Sequence, residues 1–174
     1  MEKEAPEKKE EDVVYHEAGH AVAACFTRMR FKQVTILPDK DSLGKCSLTL
    51  WKDFRPDVEM AHRLNPRVRA YTFVALAGVT AEEKSAGHFP RFGFEDDQNL
   101  AYSLISKVVG SFEEEQAYVD FMRQQTKNLI EANWEAAQAV AQALLERKTL
   151  RYPEVRRLIM QALKVEVIAP VDLL

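Results

Sequence analysis

Near its amino terminus the chain reads Val13-Val14-Tyr15-His16-Glu17-Ala18-Gly19-His20-Ala21-Val22, which contains the pattern His-Glu-x-x-His. On a helix, residues four positions apart lie on one face, so the imidazoles of His16 and His20 can reach the same metal ion. Glu17 then lies beside them. This arrangement is typical of zinc hydrolases.

The residue types in this motif suit metal-assisted hydrolysis. A catalytic zinc takes three protein ligands and leaves a fourth position to water, and neutral imidazole is a favoured ligand. The metal lowers the pKa of its water to about 7, and a carboxylate such as Glu17 can take the proton as a general base. The alternative is a chance match on an ordinary amphipathic helix.

The surroundings of the motif indicate a helix. Asp12 is a suitable N-cap, so we expect the helix to span residues 12–30, after a charged and flexible leader over residues 1–11. Gly19 is a poor helix former, and its place beside His20 indicates close backbone packing there. Apolar residues recur at helical spacing and predict one buried stripe, formed by Val14, Ala18, Ala21, Val22, Cys25 and Met29.

The composition limits the class of protein. The chain has 174 residues, of which 47% are hydrophobic and 29% charged, and this predicts one domain over residues 12–174. A net charge of −3 gives no basic surface for nucleic acid. The sequence contains neither an apolar run long enough for a membrane segment nor a signal peptide, so we expect a cytoplasmic protein. Cys25 and Cys46 are expected to be reduced packing residues.

Two short strands are predicted after the first helix. Residues 33–37 are β-like, residues 38–44 have turn composition, and residues 45–51 alternate between apolar and polar side chains. Together they predict a small β-hairpin. Two roles remain open for its second strand: it pairs with the extended backbone of a polypeptide substrate beside the metal, or it covers the core.

The remainder is predicted to be helical, which gives a mainly α fold with a small β-hairpin. In the loop 52–65, His62 has no partner at ligand spacing and is expected to be a surface residue. The expected helices are Pro66 to Ala86 after an Asn65 cap, Gln98 to Val109, a long helix after the capping box of Ser111 and Glu114, Trp134 to Arg147 after an Asn133 cap, and a last helix from Pro153.

Two acidic clusters are candidates for the third metal ligand. Glu82 and Glu83 lie late in an apolar helix, and each could be a metal ligand, a partner to a ligating histidine, or part of an exposed helix end. Glu95, Asp96 and Asp97 head the following helix, where capping and the helix dipole alone favour acidic residues. The residues by themselves leave this choice open.

Four motifs in order resemble the peptidase domain of the FtsH family of membrane-anchored, ATP-dependent zinc proteases. They are Tyr15–Val22, Val34–Pro38 followed by Leu43-Gly44, Leu76-Ala77-Gly78 with Ala81-Glu82-Glu83 and a later Gly87, and Gly93–Asp97 followed by Ala101; in addition, Leu144–Leu150 resembles the family's late helix end. The fourth motif is similar to the family's Gly-Ala-x-Asn-Asp-x-x-x-Ala segment, whose second Asp is the third zinc ligand. The resemblance therefore implies a zincin-like domain in which Asp97 joins His16 and His20 as a ligand of Zn2+.

The resemblance also implies an activity and partners. The activity is that of a zinc metalloendopeptidase that hydrolyses peptide bonds in short or unfolded polypeptides, with Glu17 activating the water. The sequence contains no Walker-type phosphate loop, so threading of folded substrates would need a separate ATPase partner. The family's assembly adds homo-oligomerisation to these expectations.

The chain departs from the family pattern near the third ligand. Arg91-Phe92 replaces the family's Thr-Thr, and Asp96 stands where Asn is usual. These changes bear on the substrate pocket more than on the metal. Two further hypotheses are a catalytically inactive, FtsH-peptidase-like binding or regulatory module, and a helical interaction domain that binds no metal.

Overall fold

A computed structural model of the chain describes residues 10–40, 42–49, 66–90 and 94–171. These residues are mainly helical, with a small three-stranded antiparallel sheet, as the sequence predicted in outline. In chain order the elements are α1 (Glu10–Phe26), β1 (Phe31–Thr35), β2 (Lys45–Leu48), α2 (Pro66–Ala86), α3 (Glu95–Ile105), α4 (Phe112–Ala132), α5 (Trp134–Arg147), β3 (Thr149–Arg151) and α6 (Tyr152–Leu163).

The motif helix α1 lies in the interior of the fold. The six residues predicted to form a buried stripe are buried, and burial extends around the helix to thirteen of its 17 residues. The reason is tertiary, because α1 packs against α2 on one side and against α5 and the sheet elsewhere. The crossing with α2 brings Gly19 onto the backbone of Ala77, where a side chain would collide with the carbonyl oxygen. This confirms the close packing expected at Gly19.

Helix α1 ends at Phe26, four residues before the predicted end. The Thr27 hydroxyl donates to the carbonyl of Ala23, and Arg28 adopts a left-handed backbone with φ of 58°. A left-handed residue cannot continue a right-handed helix, so the chain turns there into β1. The N–H of Val171, from the chain after α6, donates to the carbonyl of Phe26 at 3.0 Å and satisfies this helix end.

The predicted hairpin is formed by β1 and β2, but it is part of a larger sheet. The strand order is β2-β1-β3, with both pairs antiparallel, and β3 was not predicted. At three residues β3 is too short to show a period of two, and it lies in the stretch expected to be a helix end. Its position depends on contacts with β1, including a 2.7 Å hydrogen bond between the hydroxyls of Thr35 and Thr149.

The later helices follow the predicted order with different ends. Ser111 accepts a hydrogen bond from the backbone N–H of Glu114, as predicted, while the Glu114 carboxylate accepts from Gly110 rather than from Ser111. Asn133 makes no side-chain cap to α5; its amide donates instead to the carbonyl of Leu129. Helix α3 includes the acidic residues as its first turn and ends at Ile105 rather than at Val109.

Several predictions concern residues outside the described ranges. This group comprises residues 1–9 of the predicted leader, the loop 52–65 with His62, the Asn65 cap and the Arg91-Phe92 pair. The last two residues of the predicted leader, Glu10 and Glu11, are helical, because α1 begins at Glu10 and not at Asp12. Within the described part of the chain, no helix combines the length and the apolar character needed to cross a bilayer. The single domain over 12–174 and the cytoplasmic location stay predictions.

Candidate metal centre

The two motif histidines lie side by side on α1. Both rings are buried, with their centroids 4.7 Å apart and their planes nearly perpendicular. Their Nε2 atoms are 3.0 Å apart. This convergence follows from the helix itself, because residues four positions apart project from one face over successive turns.

Asp97 joins the two histidines from the first turn of α3. Its Oδ2 atom is 2.9 Å from Nε2 of His16 and 3.2 Å from Nε2 of His20. One potential ligand atom from each residue lies within 4.8 Å of the other two, and no other such group of His, Cys, Asp or Glu occurs among the residues that the structure describes. The structure thus brings together the three residues for which the sequence and the family resemblance predicted ligand roles.

The outer nitrogens of both histidines have acceptors of their own. Nδ1 of His16 lies 3.0 Å from Oε2 of Glu82, and Nδ1 of His20 lies 2.6 Å from the carbonyl oxygen of Val74. A carbonyl oxygen can only accept, so His20 carries its ring proton on Nδ1, and the Glu82 carboxylate favours the same tautomer in His16. In the neutral form of these tautomers the lone pair of each Nε2 atom points toward the Asp97 carboxylate, where it can bind a proton or a metal ion.

Three electron-pair donors facing one another repel unless a positive charge lies between them. Two imidazoles, each held by an outer hydrogen bond, and one carboxylate on the first turn of α3 form a donor set that suits zinc. The cluster can therefore bind a metal ion. The chemistry of the donors, and not their number alone, makes this site different from the exposed acidic groups elsewhere on the surface.

The electrostatics of the cluster also favour a cation. Burial opposes a charge on His20, but the charge and hydrogen bond of Asp97 outweigh it and raise the pKa of His20 to about 9. Burial likewise opposes a charge on Asp97 and acts to raise its pKa, yet the neighbouring charge of His20 and hydrogen bonds from His16 and His20 hold the pKa of this carboxyl below its ordinary value. Both shifts show that the cluster stabilises one added positive charge.

The other acidic candidates lie in different surroundings. Glu82 is buried and its carboxylate contacts Nδ1 of His16, so of the three alternatives the exposed helix end is wrong for this residue. Glu83 is exposed and lies at cavities on the far side of α2. Glu95 and Asp96 are exposed on the first turn of α3, and Asp96 lines the cleft next to the cluster.

Glu17 faces the same cleft as the three clustered residues. The cleft has a volume of about 440 Å³ and is walled by α1, α2, α3, β2 and the connection before β2. Glu17 is 5% exposed, and Gly44 lies against it so closely that a side chain at that position would approach its Cγ and Oε1 atoms to 2.8 Å. The absence of a side chain at residue 44 thus makes the room that Glu17 occupies.

The cysteines differ in their positions. Cys25 is buried in the core, as expected for a packing residue, and burial raises the pKa of its thiol to about 12. Cys46 also contacts the core, but it lines the cleft on β2, which its sequence position did not reveal. Burial, with the nearby charge of Glu17, raises the pKa of the Cys46 thiol, so this group stays protonated beside the cluster.

Three features of the site were not predicted from the sequence. The Val74 carbonyl that holds His20 had no signal, because any residue can supply a backbone oxygen. Gly78 lies against both imidazoles and Gly44 against Glu17. The signal for these two was their place as glycines inside the family-like motifs.

Comparison with known proteins supports a distant relationship of this chain to FtsH. No family model matches the chain. Among curated proteins, the ATP-dependent zinc metalloprotease FtsH 1 of Alkaliphilus metalliredigens is 26% identical over 83% of this chain. The chain spans about 28% of the length of that relative. The chain is thus distantly FtsH-like, and its His-His-Asp cluster is compatible with metal binding.

Proposed function

We propose that the chain is a zinc-dependent metallopeptidase in which His16, His20 and Asp97 hold the metal and Glu17 is the general base. The observation that carries this proposal is the convergence of two Nε2 lone pairs and one carboxylate, with both outer nitrogens hydrogen-bonded. Similarity to a zinc metalloprotease supports it independently.

The chain's own groups have distinct roles in this proposal. Zinc at this position would supply Lewis acidity toward a peptide carbonyl and its attacking water. Glu17 accepts the proton of the water and returns it to the leaving amine. Glu82 and the Val74 carbonyl keep the imidazoles in the tautomer that binds metal, and Asp97 lowers the net charge of the site.

The walls of the cleft favour an extended polypeptide as substrate. Strand β2 has β1 as its only partner strand in the described sheet and lines the cleft with Gly44, Cys46 and Leu48 nearby. Hydrogen bonds to the main chain of an edge strand are independent of side-chain identity, so this strand suits short or unfolded polypeptides. A folded domain does not fit into a cleft of about 440 Å³.

The first test measures zinc per chain in protein purified without added metal or chelator, comparing wild type with Asp97→Ala. We expect about one equivalent in the wild type and much less in the variant. Glu83→Ala, which removes an exposed carboxylate from another face, is the matched control and should retain the metal. Absence of zinc from wild type, even after its addition to the folded protein, would exclude the metallopeptidase.

The second test measures hydrolysis of unfolded polypeptides. Glu17→Gln should retain zinc and lose turnover by at least about 100-fold, because general bases contribute rate factors of this order. Equal turnover in wild type and Glu17→Gln would contradict the assignment of Glu17 and would favour a second candidate function.

That second candidate is an inactive binding or regulatory module that keeps the fold and the metal. One feature of the cleft favours it, namely that Asp96 places an additional carboxylate beside the cluster where the family pattern has Asn. Such a module would act with a separate ATPase or with further copies of this chain. In either form, the residues that line this cleft take no part in ATP-driven unfolding.

A further inference from the structure

Asp96 and Leu100 lie on one face of α3, next to the metal cluster. They are four positions apart, so their side chains are neighbours over one helical turn, with Cβ atoms about 5–6 Å apart. Both residues are exposed, Leu100 at 44%, and both line the cleft. This face of α3 therefore presents a carboxylate and an apolar side chain together to an occupant of the cleft.

The adjacent face of α3 is directed inward. Asp97 reaches the two histidines from this face, and Ala101, four positions after Asp97, is completely buried. These contacts fix the rotation of α3 about its axis. Asp96 and Leu100 each precede one of these two residues, and one step along an α-helix is a rotation of about 100°. The packing of α3 thus places Asp96 and Leu100 at the border between its buried face and the cleft.

The charge of Asp96 is not balanced within the described part of the chain. No lysine, arginine or histidine among these residues lies within ion-pair distance of its carboxylate. Lys45 lines the same cleft from β2, but the two side chains do not form a salt bridge. A carboxylate without a counter-ion at the wall of a cleft attracts cations. Asp96 is therefore free to pair with a positive charge that an occupant brings.

A second exposed leucine adds apolar surface to the cleft. Leu43 is 52% exposed and lines the cleft from the connection before β2, while Leu100 lines it from α3. A side chain that enters the cleft can therefore bury apolar atoms against leucine while its end reaches the carboxylate of Asp96.

We propose that Asp96 and Leu100 form a subsite for a lysine or arginine side chain of the polypeptide substrate; this inference rests on the proposed peptidase function. Lysine and arginine match this face because each has an apolar stem that ends in a cation. The stem packs on Leu100, and the cation pairs with the carboxylate one helical turn earlier. A short cationic side chain or a neutral apolar one satisfies only half of the subsite.

The subsite is close to the reacting centre, because Asp96 directly precedes the proposed ligand Asp97. Neighbouring Cα atoms are about 3.8 Å apart, and an extended substrate advances by about 3.3–3.6 Å per residue. The selected basic residue should therefore lie within about two positions of the bond that is cleaved.

The experiment compares short peptides that differ only at one position, which is moved over the two residues on each side of the cleaved bond. This position holds Lys, norleucine, which keeps the stem without the charge, or diaminobutyric acid, which keeps the charge on a shorter stem. We expect kcat/KM at one position to be at least about threefold higher for Lys than for either analogue, since exposed ion pairs contribute factors of this size.

Variants of the two residues separate the charge from the stem. Asp96→Asn should remove the advantage of Lys over norleucine. Asp96→Lys should make the peptide with Glu at this position a better substrate than the peptide with Lys. Leu100→Ser should lower kcat/KM for the Lys and norleucine peptides alike and keep the advantage of the charge.

Glu95→Gln is the matched control, because Glu95 is an exposed carboxylate on the same turn that does not line the cleft. Glutamine keeps an oxygen that can accept from the backbone N–H of Phe94, as Glu95 does. This variant should prefer Lys as the wild type does. The preference should also decrease in about 1 M sodium chloride, where the Debye length is about 3 Å. A residue that only supported the fold would not show this salt dependence.

Two results would overturn the subsite while the peptidase stands: equal cleavage of the Lys and norleucine peptides by the wild type, or an advantage of Lys that Asp96→Asn retains. If the wild type cleaves none of the peptides, the peptidase function fails, and fluorescence anisotropy with the full chain measures their binding instead. Tighter binding of the Lys peptide to the wild type than to Asp96→Asn would then support the subsite in a binding module. Equal binding, or no binding, would overturn it.

Discussion

Gly78 of α2 lies directly against the ring of His20 on α1. A Cβ atom at residue 78 would be 2.5 Å from Nε2 of His20 and 2.8 Å from Nε2 of His16. These are the two nitrogens that converge on Asp97. The absence of one side chain on α2 therefore permits the imidazoles of α1 to occupy their positions.

Gly78→Ala should displace the imidazoles and abolish the metal site. The new methyl group would have to push against two buried rings, because the helices on both sides are fixed by close packing. We expect a loss of zinc affinity of at least about 100-fold, together with a destabilisation of about 1–3 kcal/mol. Competition with a chromophoric chelator measures the affinity, and urea unfolding measures the stability.

Gly110→Ala provides the control for that substitution. A methyl group at residue 110 would have the flexible end of the Glu114 side chain as its nearest neighbour, at 3.3 Å. Residue 110 lies far along the chain from the two histidines. This variant should keep zinc affinity within about twofold of wild type, since no ligand has to move. A Gly78→Ala protein that binds zinc as the wild type does would show that the rings are not confined by α2.

Glu82→Gln tests the outer hydrogen bond of His16. The amide preserves an acceptor for Nδ1–H but removes the negative charge, so the imidazole becomes a weaker ligand. We expect zinc affinity to fall by about 10–100-fold with little change in fold. The adjacent substitution Glu83→Gln, on an exposed side chain, should leave the affinity unchanged. Equal affinities in the two variants would remove Glu82 from the site.

Gly44→Ala should separate catalysis from metal binding. A methyl group at this residue would lie 2.8 Å from Cγ and Oε1 of Glu17, so the carboxylate must move, whereas the three atoms nearest to this methyl group include none of a histidine. We expect kcat for peptide hydrolysis to fall by about 100-fold with zinc content retained. Lys40→Ala, in the same connection between β1 and β2, should leave kcat as in wild type. Loss of zinc from Gly44→Ala would instead indicate a general collapse of the cleft.

Zinc binding should release a proton from His20. Below a pH of about 9 the metal-free residue holds a proton on Nε2, which the metal must displace. Zinc affinity should therefore rise by about tenfold per pH unit from near neutrality and level off above that pKa. Calorimetry in buffers of different ionisation enthalpy counts the protons. No proton release at neutral pH would mean that the cluster does not hold one.

The same shift determines how the stability of the metal-free protein depends on pH. The pKa of His20 rises from 6.5 in the unfolded chain to about 9 on folding, so protonated His20 stabilises the fold fully below pH 6.5. This stabilisation is lost as the pH rises through about 9. The melting temperature of the metal-free protein should thus decrease as the pH rises from 6.5 to about 9. Asp97→Asn removes the main cause of the raised pKa and should move the fall to lower pH.

Local geometry explains what could be predicted of the site. His16, Glu17 and His20 were identifiable because a helix fixes the relation of residues four positions apart, whatever else the chain does. Asp97 was one of several acidic candidates, and only the family resemblance distinguished it. Its distance of 81 positions from His16 gives no local signal. The sequence also left open whether Glu82 is a metal ligand, a partner to a histidine or part of an exposed helix end, because the contacts of Glu82 with residues distant in the chain give no local signal either.

The sequence did not predict features of the fold that span only a few residues or that depend on contacts between distant parts of the chain. Strand β3 has three residues and depends on pairing with β1, which lies more than 100 positions earlier. The early end of α1 depends on one left-handed residue, Arg28, and the sequence gives no indication of it. The burial of Arg69 likewise has no local signal, because burial depends on what packs around a side chain and not on the side chain itself.

The sequence by itself determined the periodic elements and the spacing of the two histidines, since both depend on contacts within a single helix. Only the tertiary structure decided which carboxylate meets those histidines and which groups hold their outer nitrogens. It also decided that Gly44 and Gly78 leave the space these side chains need. The physical reason is that the site lies where α1, α2, α3 and β2 meet, and their approach is fixed by packing over the whole core.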